Sequence, residues 1–141
     1  MERAQIDISP GLDGQPVVHA CFDLRAEETA ASAHAIASVA AERYRMSDMS
    51  ADDVLELREL TTLADELGEL AGGMRTVVLR PARLSAYRDA ISSFVATRDE
   101  AEWIREEDRE PLARLRGLLE PLEQLCAEAL RAALSPAPRV R

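Results

Sequence analysis

The chain contains no lysine: its 17 basic residues are all arginine, against 26 acidic ones, for a formal net charge of −9. A protein that grips DNA or RNA must gather enough cations on one face to neutralise phosphates, so the balance argues against a nucleic-acid partner. Arginine tolerates partial burial and pairs bidentately with carboxylates better than lysine does. The bias therefore suits a fold laced with Arg–carboxylate pairs, although a compositional bias of the source genome would give the same count. Aromatic residues make up only 4% of the chain, so aliphatic side chains must supply most of the burial. The two cysteines, Cys21 and Cys126, follow no metal or redox spacing and read as free and reduced.

Long apolar runs are also missing. No window approaches the roughly 18 apolar residues that a membrane span needs, and "MERAQIDISP" lacks the basic segment and apolar stretch of a signal peptide. These features predict a cytoplasmic chain with no membrane partner. The local templates of catalysis are absent too: no phosphate-binding GxxxxGK[ST], no GxSxG elbow, no HExxH helix, no calcium loop and no Glu-x-x-His pair. No cofactor or metal is expected, and the reading leans away from an enzyme. Dispersed polar residues leave catalysis without a linear motif open.

What is present is ordinary globular material, 47% apolar and 30% charged over 141 residues, the usual size of one domain. A single domain is expected over residues 1–134, followed by a loose, proline-punctuated tail over 135–141, "SPAPRVR". Near the N-terminus Ala4, Ile6 and Ile8 alternate with polar residues at the period of a half-buried strand. "SPGLDGQP" has turn density, and "VVHACF", Val17 to Phe22, suits a second strand. A hairpin alone is marginal in water, which gives a role to the β-favouring run at 75–80, behind Gly72 and Gly73 as C-cap glycines and before Pro81 at a helix start.

Four helices follow from 3.6-residue periodicity. The first, capped by Asp23, runs to about Arg45 with a thin stripe of Thr29, Ala33, Ile36, Val39, Ala40 and Tyr44. The second opens at Ser50 and buries Leu57, Leu60, Leu63, Ala64, Leu67 and Leu70. The third follows Pro81 with Leu84, Tyr87, Ile91, Phe94 and Val95. The last opens near Asp108 and carries one long seam, Leu112, Leu115, Leu119, Leu122, Cys126, Ala129 and Ala133, with a kink expected at Pro121. The predicted fold is helix-dominated α+β: a small antiparallel sheet, made of the N-terminal hairpin and a third strand at 75–80, packed on four to five helices. An all-α bundle carrying the N-terminal hairpin is the alternative.

Candidate functional residues are few. His19 and Cys21 share a strand face, and a metal would need two further ligands from elsewhere; a hydrogen-bonded histidine beside a packed cysteine is the simpler reading. His34 points away from the core stripe. Glu56 and Arg98 fall inside apolar stripes, where an unpaired charge is costly. They either pair, with each other or across a subunit boundary, or sit at helix ends that have reached solvent. A straight third helix would leave Trp103 and Ile104 exposed as an interface anchor. Thr97 and Glu100 have capping-box spacing, and a break there would instead turn Trp103 into the core. The run Arg105 to Glu110 reads as a solvated face.

The function expected from these features is a non-catalytic protein–protein interaction or scaffold domain that self-associates, as a dimer, through its leucine-rich helices. Trp103, Ile104, Glu56 and Arg98 are its candidate binding residues. The alternative is a small-molecule-binding regulatory domain with a pocket between sheet and helices, which Met46, Met49 and Met74 could line.

Overall fold

Period-two alternation at the N-terminus resolves into two antiparallel strands, β1 (Glu2–Pro10) and β2 (Pro16–Leu24), in the computed structural model, which describes residues 1–45, 48–69 and 73–134. Their loop closes through the Gly11 N–H, which donates to the Gln15 carbonyl at 2.7 Å. Only glycine fits there, because a Cβ on Gly11 would lie 2.7 Å from that same oxygen. The β-favouring run forms β3 (Arg75–Leu79), antiparallel to β2 with Phe22 opposite Val77 and Ala20 opposite Leu79. The sheet order is β1-β2-β3, so the fold is helix-dominated α+β with a three-stranded antiparallel sheet and five helices.

Among the described residues five helices join the sheet: α1 (Ala26–Tyr44), α2 (Ala51–Glu69), α3 (Pro81–Glu100), α4 (Glu106–Arg116) and α5 (Leu119–Leu134). The α2 start is chemically clear. Ser50 Oγ accepts from the Asp53 N–H at 3.2 Å while the Asp53 carboxylate accepts from the Ser50 N–H at 3.0 Å, satisfying two otherwise orphaned donors. Pro81 opens α3, where its missing N–H has no intrahelical acceptor to lose. Gly73, ahead of β3, has φ +123°, a value that glycine adopts without a steric penalty. Leu70 and Gly72 lie outside the described residues, as does the segment 135–141.

Ala20, Phe22, Leu24, Val77 and Leu79 are buried and give the sheet its core face. Helices α3 and α5 pack on the sheet, and α1 lies against α2, α3 and α4. The small residues Ala31, Ser32 and Ala35 on α1 are buried and let its neighbours approach closely. Leu57, Leu60, Leu63, Ala64 and Leu67 of α2 are buried as the periodicity predicts, and so are Leu84, Tyr87, Ile91, Phe94 and Val95 of α3.

Three expectations are corrected. Asp23 does not cap α1: it lies in β2, buried, and accepts a 2.6 Å hydrogen bond from Thr76 Oγ1 of β3. Arg25 takes the cap position, with its N–H donated to Glu28 Oε1 at 3.0 Å. Tyr44, placed on the buried stripe of α1, is 74% exposed, because the stripe ends one turn earlier at Ala40. The long final helix is two helices, broken at Gly117 and Leu118. Pro121 then falls in the first turn of α5, where no hydrogen bond is lost, so the break replaces the kink. Leu118 is buried at the break, and the α5 seam runs through Leu122, Leu125 and Ala129, leaving Ala133 exposed.

At the centre, Tyr87 is fully buried, edge-on to Phe22 with ring centroids 6.0 Å apart, its hydroxyl 2.5 Å from Ser32 Oγ. Burial pushes its phenol pKa far up, outweighing the Ser32 hydrogen bond that lowers it. Removing one hydroxyl strands the other in an apolar core. Tyr87→Phe is expected to lose about 1–3 kcal/mol in denaturant unfolding, and the Ser32→Ala/Tyr87→Phe double variant less than the two single losses added.

Candidate functional site

The candidate site is the cleft where the C-terminal end of α3, the connection 101–105 and the start of α4 meet α1. Its volume is about 610 Å³, and its lining is mostly polar and charged. It is built around Asp108, which sequence reasoning placed on a solvated face and which is only 5% exposed. One carboxylate oxygen lies 2.7 Å from His34 Nε2 of α1, and the other accepts from Arg98 Nε of α3 at 3.3 Å. Because an ionised carboxylate only accepts, His34 Nε2 carries the proton.

Burial acts to raise the Asp108 pKa, but the hydrogen bonds from His34 and Arg98 and their charges outweigh it, so the carboxyl titrates below the usual range. Arg98 is engaged on every side. Besides Asp108 it reaches Glu42 Oε1 at 2.8 Å and Thr97 Oγ1 at 2.7 Å, and its guanidinium carbon lies 4.2 Å from the centre of the Phe94 ring. The His34 ring meets the same phenylalanine edge-on at 5.9 Å. A buried aromatic, two cations or donors and two carboxylates thus join three helices. A further ion pair, Arg116–Asp99, ties α4 to the end of α3.

The connection 101–105 is held by this frame. Thr97 does not cap a new helix: its hydroxyl donates back to the carbonyls of Ser93 and Phe94 at 2.9 and 3.1 Å, and α3 continues to Glu100. The expected break is therefore absent, and Trp103 is not returned to the core. It stands 72% exposed at the cleft, while Ile104 packs partly buried against the core. Arg105, the N-cap residue of α4, lines the cleft without an ion-pair partner among the described residues.

Glu56 and Arg98 do not pair with each other. Glu56 pairs with Arg43 at 3.0 Å, half exposed, and lines a different cleft of about 710 Å³ between the sheet and the helices, with His19, Glu59, Val78 and Arg83. That cleft brings a histidine and two carboxylates together, but Glu59 is paired with Arg83 at 2.7 Å and both acids stay in contact with solvent, unlike a desolvated general acid. Met49 and Met74 do not line it, and Met46 lies outside the described residues. Cys21 shares the outer sheet face with His19, and its thiol donates to Asp7 Oδ2 at 3.2 Å. Burial and then Asp7 push the thiol pKa up, away from a reactive thiolate. Among the described residues no group of three or more His, Cys, Asp or Glu could hold a metal ion, and no helix is long and apolar enough to cross a membrane.

Chemically, a carboxylate-oriented imidazole is the orienting half of an acid–base pair. The partner half is not assembled: the Ser38 hydroxyl donates to the His34 carbonyl at 2.9 Å, and the Thr97 hydroxyl is turned to backbone carbonyls. Asp108 and His34 were missed as site residues, yet Asp108 stands four and seven residues before Leu112 and Leu115, on the buried stripe of α4. That spacing was the available signal. Comparison of the chain with protein-family models, with curated proteins and with solved structures finds no significant match.

A depressed folded pKa gives stability that is complete above the unfolded value, near 3.9, and disappears as pH falls through the folded one. Asp108→Asn is therefore expected to be less stable than the parent by about 1–3 kcal/mol at pH 7. The gap should narrow below about pH 4, as read by urea unfolding at a series of pH values.

Proposed function

We propose that the chain is a non-catalytic protein-interaction domain that pairs with a second copy of itself through Trp103. The observation that supports this reading is the exposed indole at 72% accessibility, carried by a connection whose next residue, Ile104, packs partly buried against the core. Large aromatics carry a disproportionate share of interface energy, and one whose backbone is already ordered loses little freedom on docking. The leucine seams are not free for this purpose. Leu60, Leu63 and Leu67 of α2, Leu112 and Leu115 of α4 and Leu122 of α5 are buried within the chain, and the exposed leucines of these helices, Leu55, Leu130 and Leu134, lie off those seams; the reading therefore centres on Trp103.

In a two-fold pair the same patch faces itself. Each indole then enters the other copy's cleft, with its face against the Arg105 guanidinium in a cation–π contact. Net charge of −9 opposes indiscriminate association, which makes local complementarity of this kind the condition for pairing.

Sedimentation equilibrium tests the reading. The parent protein should show a concentration-dependent monomer–dimer equilibrium. Trp103→Ala should weaken it by about 2 kcal/mol or more with unchanged far-UV circular dichroism, and Arg105→Ala by about 0.5–2 kcal/mol. A parent protein that stays monomeric at the highest concentration, or a Trp103→Ala variant that pairs as tightly, contradicts it.

A further inference from the structure

A second cleft, of about 890 Å³, runs along the helical hairpin of α1 and α2. It differs in character from the Trp103 cleft. Its floor is made of small side chains, Ala37, Ala40 and Ala41 from α1 with Thr61 and Ala64 from α2. Tyr44, Met49 and Val54 wall the end nearest the connection between the helices, and Tyr44 and Val54 are exposed at 74% and 40%. Small-molecule sites have this form, with a mostly apolar trough of 300 to about 1,000 Å³ and a few polar groups at one place.

Its cationic groups are two arginines. Arg45, which ends α1, and Arg58, in the second turn of α2, both line the trough, and neither has an ion-pair partner among the described residues. Arg75, Arg80, Arg105 and Arg114 are likewise without an ion pair among the described residues, whereas Arg25, Arg43, Arg83, Arg88, Arg98 and Arg116 are paired; what sets Arg45 and Arg58 apart is that both line one apolar trough. The opposite charge, Asp65, lies seven residues beyond Arg58, about 10 Å further along the helix. The trough thus has one cation beside the connection, a second about 10 Å along α2 and an anion about 10 Å beyond that, over a floor of small side chains.

From this charge arrangement we infer that the α1–α2 trough binds an amphipathic carboxylic acid, an unbranched aliphatic chain with one carboxylate. The carboxylate lies between Arg45 and Arg58, and the chain follows the alanine floor toward Asp65. Guanidinium–carboxylate hydrogen bonds are the strong, charge-assisted kind. Asp65 limits chain length, since an apolar terminus that reached it would desolvate a carboxylate. This site lies on the other side of α1 from the surface proposed for pairing, and Ala41 and Arg45 are the side chains that line both clefts.

Calorimetric titration with decanoate, below its micellar concentration, and with the uncharged decanol tests the inference on the full chain. Decanoate should bind at least about tenfold tighter than decanol. Arg58→Gln, a surface substitution, should remove that preference, and Ala37→Phe should fill the floor and abolish binding of both. A longer saturated acid, whose tail would reach Asp65, should bind more weakly than decanoate. The inference is overturned if decanoate does not bind, if the alcohol binds equally well, or if Arg58→Gln binds decanoate with the parent affinity. Repeating the titration on Trp103→Ala separates the site from pairing: binding seen only in that variant would mean that a second copy occupies the trough, and would overturn it as well.

Discussion

A single ionised carboxylate, that of Asp108, ties three of the helices, α1, α3 and α4, at one junction. Leaving such a group in a nearly dry junction without partners is strongly unfavourable. Its two oxygens instead meet His34 of α1 and Arg98 of α3, and Arg98 carries the link on to Glu42. Removing any one partner exposes the others to the cost of an incomplete network. Helices α1, α3 and α4 cannot slide past one another without separating these groups.

The rest of the molecule divides labour around that junction. Aliphatic burial of α3 and α5 against the core face of the sheet, and of α2 against α1 and α3, supplies the non-directional attraction, while a few polar contacts choose one arrangement. Thr76 and Asp23 align β3 on β2, and Ser32 and Tyr87 align α1 on α3. Ile104 packs partly buried against the core and Asp99 is bound to Arg116, and between them the short connection 101–105 leaves Trp103 exposed. The same α1 helix that anchors His34 turns its small residues toward α2, which opens the apolar trough on its other side. Two clefts of opposite character therefore share one helix, with Ala41 and Arg45 lining both.

Much of this architecture was legible in the residues because it depends on short-range periodicity. The α2 and α3 stripes, the α2 start at Ser50, the Pro81 start and the strand expected at 75–80 all announce themselves within a few positions. What escaped depends on groups distant in sequence or on competition between local options. Asp23 has the composition of a helix cap, yet Thr76, 53 residues away, claims it. Thr97 has capping-box spacing, but its hydroxyl finds carbonyls inside its own helix. The last helix keeps apolar periodicity across Gly117, so pattern alone joined two helices that the backbone separates. Among the candidate site residues, the exposure of Trp103 was one of two weighed outcomes, whereas the pairing of His34 with Asp108 spans 74 positions and leaves a trace only in the place of Asp108 on its stripe.

Trp103 is the sole tryptophan, so its fluorescence reports on the connection without labelling. Time-resolved anisotropy of dilute, monomeric protein, followed through an acid titration beside far-UV circular dichroism, tests the claim that Asp108 holds this region. The account predicts that indole mobility rises while helix content is still intact, and that Asp108→Asn shows the mobile indole already at neutral pH. Mobility that stays low until the helices melt, and that is the same in Asp108→Asn and in the parent protein, would contradict it.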